Sequence, residues 1–565
     1  MSYRILSVLL LLTVQLTAQV NPYSYSIQKK VECTTAAVVS AHPLASKVGV
    51  QIMKQGGNAF DAAIATQLAL AVVYPGAGNI GGGGFLIAYT NKGKSIALDY
   101  REKAPASVSR DMYLDTNGNA QTNLSQNGHL ASGVPGTVAG LFTTHQYAKL
   151  PFKQLIQPAI ELAEKGFVIT EAEAKSLNAT FGSFVQYNTK APAFIKYGGW
   201  KAGDTLLQKD LANTLKRIRD FGEKGFYEGE TARLIVAEMK RGGGLISLGD
   251  LKNYKTDVRE AMLSNYKGYT IIGMPLVSSG GILIQQMMGM IETRNVAQYG
   301  FHSWQAVQMM VEIERRAYAD RAEFLGDKDF VKVPVKKLTS PEYLRQRMSD
   351  YDMNKAGSSK LTTHGNINPE SEETTHISVY DKWGNAVSVT TTLNGGYGSR
   401  TVVGGAGFLL NNEMDDFSIK PGVPNMYGAL GTEANAIAPN KRMLSSMTPT
   451  IVLKDGKPYL VIGSPGGTTI PTQLYQMLLN VLEFNLSTED AVWKPKFHHQ
   501  WLPDVVYVEK GFPVEVITKL KEMGYEVVER GSIGRFEAIK INKGKIEAVA
   551  DHRGDDHAEG FAPNP

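Results

Sequence analysis

The spacing of apolar and polar positions changes character along this chain. Residues 36–73 are rich in Ala, Val and Leu. Asn58 follows Gly56-Gly57 and can cap a helix predicted to run through Asp61 to about Val73, where Pro75 stops it. A glycine tract, 76–84, leads into Phe85-Leu86-Ile87-Ala88-Tyr89, a predicted strand. Residues 150–350 are mostly amphipathic helical patterns, for example 154–165 and 304–324, with glycine-rich turns at 242–244 and 278–281. Residues 351–373 are polar and turn-prone and read as an exposed linker. Beyond it the period shortens. Segments 376–380 and 386–392 predict a hairpin around Lys382-Trp383-Gly384-Asn385. Strands are expected at 407–410, 450–453 and 459–463, a helix over 473–484, and strands again near 525–530 and 536–541. Helices first and a sheet-rich end predict an α+β or layered αββα architecture.

Composition narrows the classes. The 565 residues are 43% hydrophobic and 20% charged, normal for a soluble globular protein and against disorder. The formal charge of +5 is small for this size and the basic residues form no block, which argues against nucleic-acid binding. Cys33 is the single cysteine, so no intramolecular disulfide or cysteine-type zinc site can form. Arg4, the apolar run 5–12 and the small residue Ala18 have the form of a secretory leader over residues 1–18. The run is too short for a membrane anchor, and no other stretch reaches about 18 uninterrupted apolar residues. The mature chain is therefore expected to be exported, periplasmic or secreted, without a membrane anchor.

Several local motifs fail on context. Gly76-Ala77-Gly78-Asn79-Ile80-Gly81 matches a dinucleotide fingerprint, with Asp99 downstream, but a helix precedes it and a strand follows, the reverse of what phosphate binding needs. The segment from Asp115 resembles a calcium loop but carries Ala120 and Gln126 where Gly and Glu are required. His498-His499 and 551–557 fit no helical metal-ligand spacing, so no metal or cofactor is expected. Ser26-Ile27-Gln28-Lys29 lacks its partner motifs, and Gly463-Ser464-Pro465-Gly466-Gly467 has Ile462 where a nucleophile elbow needs Gly. What remains is a polar cluster: Glu372-Glu373-Thr374-Thr375-His376, Thr390 to Asn394, Asn411 to Asp416, Ser445-Ser446-Met447 and Gly466-Gly467. By residue type alone it reads as β-forming threonines and polar turns, or as a threonine nucleophile with a polar pocket.

These stretches resemble the γ-glutamyltranspeptidase family. The likeness rests on Thr374-Thr375-His376, Leu410 to Phe417, Pro439 to Met447 and Gly463 to Gly467, and in the first half on Gly78 to Phe85, Asp99-Tyr100-Arg101-Glu102, Gly133 to Gly136 and Arg315 to Arg321. It covers nearly the whole mature chain in the family's order. It implies a four-layer αββα N-terminal-nucleophile hydrolase sandwich built from two self-processed subunits. The cut would fall between Glu373 and Thr374, giving a large subunit, 19–373, and a small one, 374–565, that stay together as a heterodimer.

The resemblance also implies roles. Thr374 is the nucleophile, Thr392 a threonine that hydrogen-bonds it, and Gly466 and Gly467 the oxyanion hole. Arg101, Ser445 and Ser446 would take the α-carboxylate of a γ-glutamyl group, and Asn394, Glu413 and Asp416 its α-ammonium. Tyr427 would cover the pocket from a lid loop. The expected reaction cleaves glutathione and related γ-glutamyl compounds through a γ-glutamyl-threonyl ester, passing the group to water, amino acids or dipeptides. The chemistry is self-consistent: a hydroxyl needs a base, and a freed threonine α-amine, with a reference pKa of about 7.7–8.0, supplies one. Arg315, Arg316 and Arg321 read as surface partners of acids such as Glu314 or Asp320 and stay outside the site. The nearest rival is a cephalosporin or glutaryl acylase of the same superfamily, which would lose the ammonium pocket. A rival of another class is an exported, uncut binding or scaffold protein with a dead site.

Overall fold

The computed structural model describes residues 20–361 and 374–563; the leader, 1–18, and the end of the polar linker with Glu373 lie outside the described residues. Two seven-stranded sheets dominate. From edge to edge, one contains Lys30–Cys33, Lys545–Ala550, Glu537–Asn542, Lys457–Gly463, Thr450–Lys454, Tyr269–Gly273 and Met262–Tyr266. The other contains His557–Phe561, Ala36–Ser40, Thr375–Tyr380, Ala386–Thr392, Gly83–Tyr89, Ser95–Asp99 and Asp257–Arg259. Neighbours within each are antiparallel. Both sheets contain strands from before and from after residue 374.

The period-two pattern explains the layers. In Thr375–Tyr380, Ile377 and Val379 join the core under the helices Pro43–Lys54, Ala59–Val73 and Phe152–Lys165. The intervening Ser378 points the other way and donates its hydroxyl to Glu537 O, 2.9 Å, on the facing sheet. Ala37, Val39, Phe85, Ile87, Ile451, Val461 and Ile539 fill the space between the sheets. The outer face of the first sheet is covered by Gly280–Ile291, Trp304–Phe324 and Ile470–Leu482. The result is the four-layer αββα sandwich.

Most predicted elements are present. Asn58 and Asp61 form a reciprocal cap on Ala59–Val73, and the hairpin pairs Ile377 with Val389. Three expectations differ. The strand at 407–410 is reduced to one bridge, Val402 to Leu409, because Gly407 turns back to bond Val403 O. Gly280 and Gly281 begin a helix instead of making a turn: Ser278 Oγ accepts from Gly280 N at 3.0 Å, and a Cβ at Gly280 would meet Thr448. The helical reading of 150–350 missed Asp257–Arg259 and Met262–Tyr266, edge strands whose exposed faces obscure the apolar alternation, and Tyr269–Gly273, which pairs beside the latter.

Candidate active site

Thr374 immediately precedes the inner strand Thr375–Tyr380, which is paired on both sides. Across the hairpin Thr375 faces Thr391, so Thr374 and Thr392 meet at the open end of the same strand pair. Thr374 is 5% and Thr392 3% exposed. Both line a narrow pocket with Arg101, Asn394, Asp416, Tyr427, Ser445, Ser446 and Gly467, residues scattered over the sequence. Its open room is about 20 Å³, enough for about one water. Gly466 lies with Thr374 on a second, wider cleft. Glu413 sits behind the pocket, fully buried against Arg101. Glu373 is outside the described residues.

Local turns hold each group. Asn411 bridges segments by donating Nδ2 to Gly81 O and Gly133 O, both at 2.9 Å, and its Oδ1 accepts from Glu413 N at 3.1 Å. That fixes the short helix Glu413–Asp416. Asn394 adopts left-handed backbone, φ 75°, a conformation Asn tolerates; its N–H donates to Thr392 Oγ1 at 2.8 Å and its Nδ2 to Asn412 O at 3.0 Å. Ser445 is clamped beside Ser278 and Ser279, with Ser279 N donating to Ser445 O at 2.8 Å. Gly467 has φ 52°, and a Cβ there would lie 2.6 Å from the Tyr427 ring, so both backbone and packing demand glycine.

The charges are tightly matched. Arg101 Nη1 lies 2.5 Å from Glu413 Oε2, Nη2 donates to Asp416 Oδ2 at 2.5 Å, and Glu102 is 3.8 Å away. The anion-binding arginine and the ammonium-binding carboxylates of the sequence reading are thus ion-paired to one another. Burial raises the pKa of Glu413 and Asp416 and pushes Glu102 up to about 8, against the pull of Arg101. One guanidinium serves three buried carboxylates, so the cluster as a whole holds protons more tightly than free carboxylates do. The carboxylates in turn more than offset burial at Arg101 and raise its pKa.

Other expectations are corrected. Arg321 is buried and lines the pocket, donating Nη2 to Ser446 Oγ at 3.0 Å and Nε to Ser279 Oγ at 3.2 Å. Arg315 and Arg316 are also buried; they pair with Glu312, Asp504 and Asp350 instead of Glu314 or Asp320 on a surface. The missed cue was charge on every face of one helix, which cannot all meet solvent. Asn425 and Thr468 also line the pocket and were not singled out.

His376 cannot act as a base: it is fully buried beside Thr390 Oγ1, 2.9 Å, and burial lowers its pKa to about 3. His498 engages Thr472 and Gln500, and His499 engages Asp504. Arg553 pairs with Asp551 and Glu509. Among the described residues no group of three or more His, Cys, Asp or Glu side chains could hold a metal ion, and no helix is long and apolar enough to cross a membrane.

The geometry is that of a buried threonine at a strand start, flanked by a glycine turn and by a narrow polar pocket lined by Arg101 and Asp416. Comparison with known proteins points the same way. The family profile described as Gamma-glutamyltranspeptidase matches residues 45–561. The chain is 46% identical to the glutathione hydrolase proenzyme of Escherichia coli (strain K12), over 96% of this chain and 95% of the relative. The crystal structure of Helicobacter pylori gamma-glutamyltranspeptidase is 40% identical with TM-score 0.55, covering 59% of this chain and 94% of that chain. A cephalosporin acylase from Bacillus halodurans superposes with TM-score 0.82 at 25% identity, over 96% of this chain and 99% of that one.

Proposed function

Because the chain belongs to the γ-glutamyltranspeptidase family and is an enzyme of γ-glutamyl transfer and hydrolysis made as a self-processing precursor, we propose that Thr374 is its nucleophile and that the precursor cuts itself between Glu373 and Thr374. The carrying observation is that Thr374, at the head of a doubly paired strand, faces both the charged pocket and the wider cleft. Cutting gives subunits 19–373 and 374–565. It also converts the Thr374 nitrogen from an amide, which is no base, into an amine.

The donor is glutathione or a related γ-glutamyl compound. Its amino-acid end is a zwitterion, and the pocket's internal ion pair already has the matching charges. As this end enters between Arg101 and the acids, its carboxylate takes Arg101 with Ser445 and Ser446. Its ammonium takes Asp416, Asn394 and Glu413. Tyr427 must move to admit it, since the present room is too small for a glutamyl group. Thr374 Oγ1 then attacks the γ-carbonyl carbon, and its proton passes to the α-amine, with Thr392 beside the nucleophile. The developing oxyanion meets the backbone N–H groups of Gly466 and Gly467. Collapse releases the amine of the leaving peptide, protonated from the α-amine, and leaves the γ-glutamyl ester. Water, an amino acid or a dipeptide then takes the group. A glutaryl side chain carries no such ammonium and would leave Asp416 and Glu413 without a substrate cation, which disfavours the glutaryl acylase reading.

The test is intact mass on purified wild type and Thr374→Ala. Wild type should give pieces of roughly 39 and 21 kDa by residue count, the smaller beginning at Thr374. Thr374→Ala should stay one chain; a cut mutant removes Thr374 from this role. Residues 1–18 we read as an export leader, so the large subunit recovered from the periplasm or medium should begin near residue 19.

A further inference from the structure

The glycine turn beside Thr374 joins the strand Lys457–Gly463 to the helix Ile470–Leu482. Backbone donors are worth most to a reaction when they are aimed beforehand, because they then need no reorganisation as charge develops. Gly466 and Gly467 have φ 138° and 52° and carry no side chain that could anchor them. The groups that fix the turn lie beneath it.

One side chain reaches both ends. Gln473 closes the first turn of the helix and is fully buried. Its Oε1 accepts from Ser464 Oγ at 2.7 Å, at the start of the glycine turn. Its Nε2 donates to Thr469 Oγ1, at the end of the turn, and to Ile533 O on the wall of the wider cleft. Thr469 N donates to Gly466 O at 2.9 Å, and Thr469 Oγ1 lies 2.8 Å from the same oxygen. Arg535 N donates to Ser464 Oγ at 3.2 Å, which stitches the wall to the turn a second time. Gly534 presses on the amide from the wall: a Cβ there would lie 2.2 Å from Gln473 Oε1. A buried amide is costly unless its donors and acceptor are used. This one uses them on the turn and on the cleft wall.

We propose that Gln473 is a positioning residue for the reaction: it sets the turn so that the N–H groups of Gly466 and Gly467 meet the γ-carbonyl oxygen as the tetrahedral intermediate forms. The proposal rests on the reading of those two glycines as the oxyanion hole. Gln473 touches no substrate and acts through Ser464 and Thr469. Formation and breakdown of the γ-glutamyl ester each pass through such an intermediate, so a loosened turn slows both.

The experiment uses the processed enzyme with γ-glutamyl-4-nitroanilide as donor and 2-amino-4-boronobutanoic acid as probe. In the probe a boronic acid stands where the donor has its γ-carbonyl, and it becomes tetrahedral on bonding a hydroxyl. Its affinity therefore reads the intermediate more than the substrate. Gln473→Met removes the amide at similar length. Gly534→Ala keeps every hydrogen-bonding group and displaces the amide from the wall side, so it serves even where Gln473→Met is not cut. Each should lower kcat per cut enzyme by about tenfold or more, with donor KM within about threefold of wild type. Boronate affinity should weaken by about the same factor as kcat/KM. Unchanged kcat and boronate affinity in these variants overturns the Gln473 assignment alone. A raised donor KM at unchanged kcat overturns it as well, because that loss belongs to ground-state binding. A crystal structure of the wild-type boronate adduct tests the reading beneath it. A boronate oxygen bonded elsewhere than to the Gly466 and Gly467 N–H groups overturns the oxyanion-hole reading, and the Gln473 assignment with it.

Discussion

Tyr427 donates its hydroxyl to the backbone carbonyl of Asn394 at 2.5 Å, so the loop carrying the aromatic ring is tied across the mouth of the pocket to a residue of its wall. Tyr427→Phe keeps the ring over Gly467 and removes this tie. A net hydrogen bond contributes about 0.5–1.5 kcal/mol, so donor KM should rise roughly two- to tenfold with a smaller change in kcat. Steady-state kinetics with a γ-glutamyl anilide decides it; a fall confined to kcat would contradict the closing role.

Gln500 fastens the same loop from below. Its Oε1 accepts from Thr468 Oγ1 at 2.6 Å, and its Nε2 donates to Gly428 O at 3.2 Å and Tyr427 O at 3.4 Å. Gln500→Glu keeps the acceptor for Thr468 and replaces the donors with a charge facing two carbonyls. Donor KM should rise more than in Tyr427→Phe, by about tenfold. Gln500→Met, which loses the donors without the charge, should fall between wild type and Gln500→Glu.

Arg321 orients Ser446 through a planar fork that also reaches Ser279. Lysine carries the charge but cannot hold both hydroxyls at once. Arg321→Lys should lower donor kcat/KM by about tenfold or more while self-cutting still occurs. Mass spectrometry and kinetics on one preparation separate the two effects.

Glu102 supplies a pH signature. Its folded pKa, about 8, lies above the ordinary carboxylate value because burial outweighs the pull of Arg101. Between those values the folded chain holds a proton that the unfolded chain releases. Stability from this group is therefore present at acid pH and is lost as pH rises toward 8 and beyond. Glu102→Gln is isosteric and does not titrate. Its Tm should fall less than that of wild type between pH 6 and pH 9, read by thermal unfolding; parallel curves would reject the assignment.

The helices and hairpin were legible wherever one face met solvent or a cap named its boundary, as at Asn58 with Asp61. The strands at 257–273 were hidden because edge positions such as Val258 and Leu263 are exposed, which breaks the link between apolar residue and core. For the site, residue chemistry alone did not separate a threonine nucleophile from β-forming threonines; the resemblance carried by the long motifs is what favours the nucleophile. Motifs could not show that Arg101 is already paired with Glu413 and Asp416, nor that Arg321 turns inward. Both are set by helix and loop packing between residues more than a hundred positions apart.

The strand order has a consequence for how this molecule can be made. A cut before Thr374 would sever the chain, yet Ala36–Ser40 would stay gripped between Thr375–Tyr380 and His557–Phe561, both from the other piece. Lys30–Cys33 likewise stays zipped to Lys545–Ala550. The pieces are laced, not docked, and either alone would present raw strand edges to any neighbour. Such a weave is most directly reached by folding first and scission second, while both pieces still belong to one polymer.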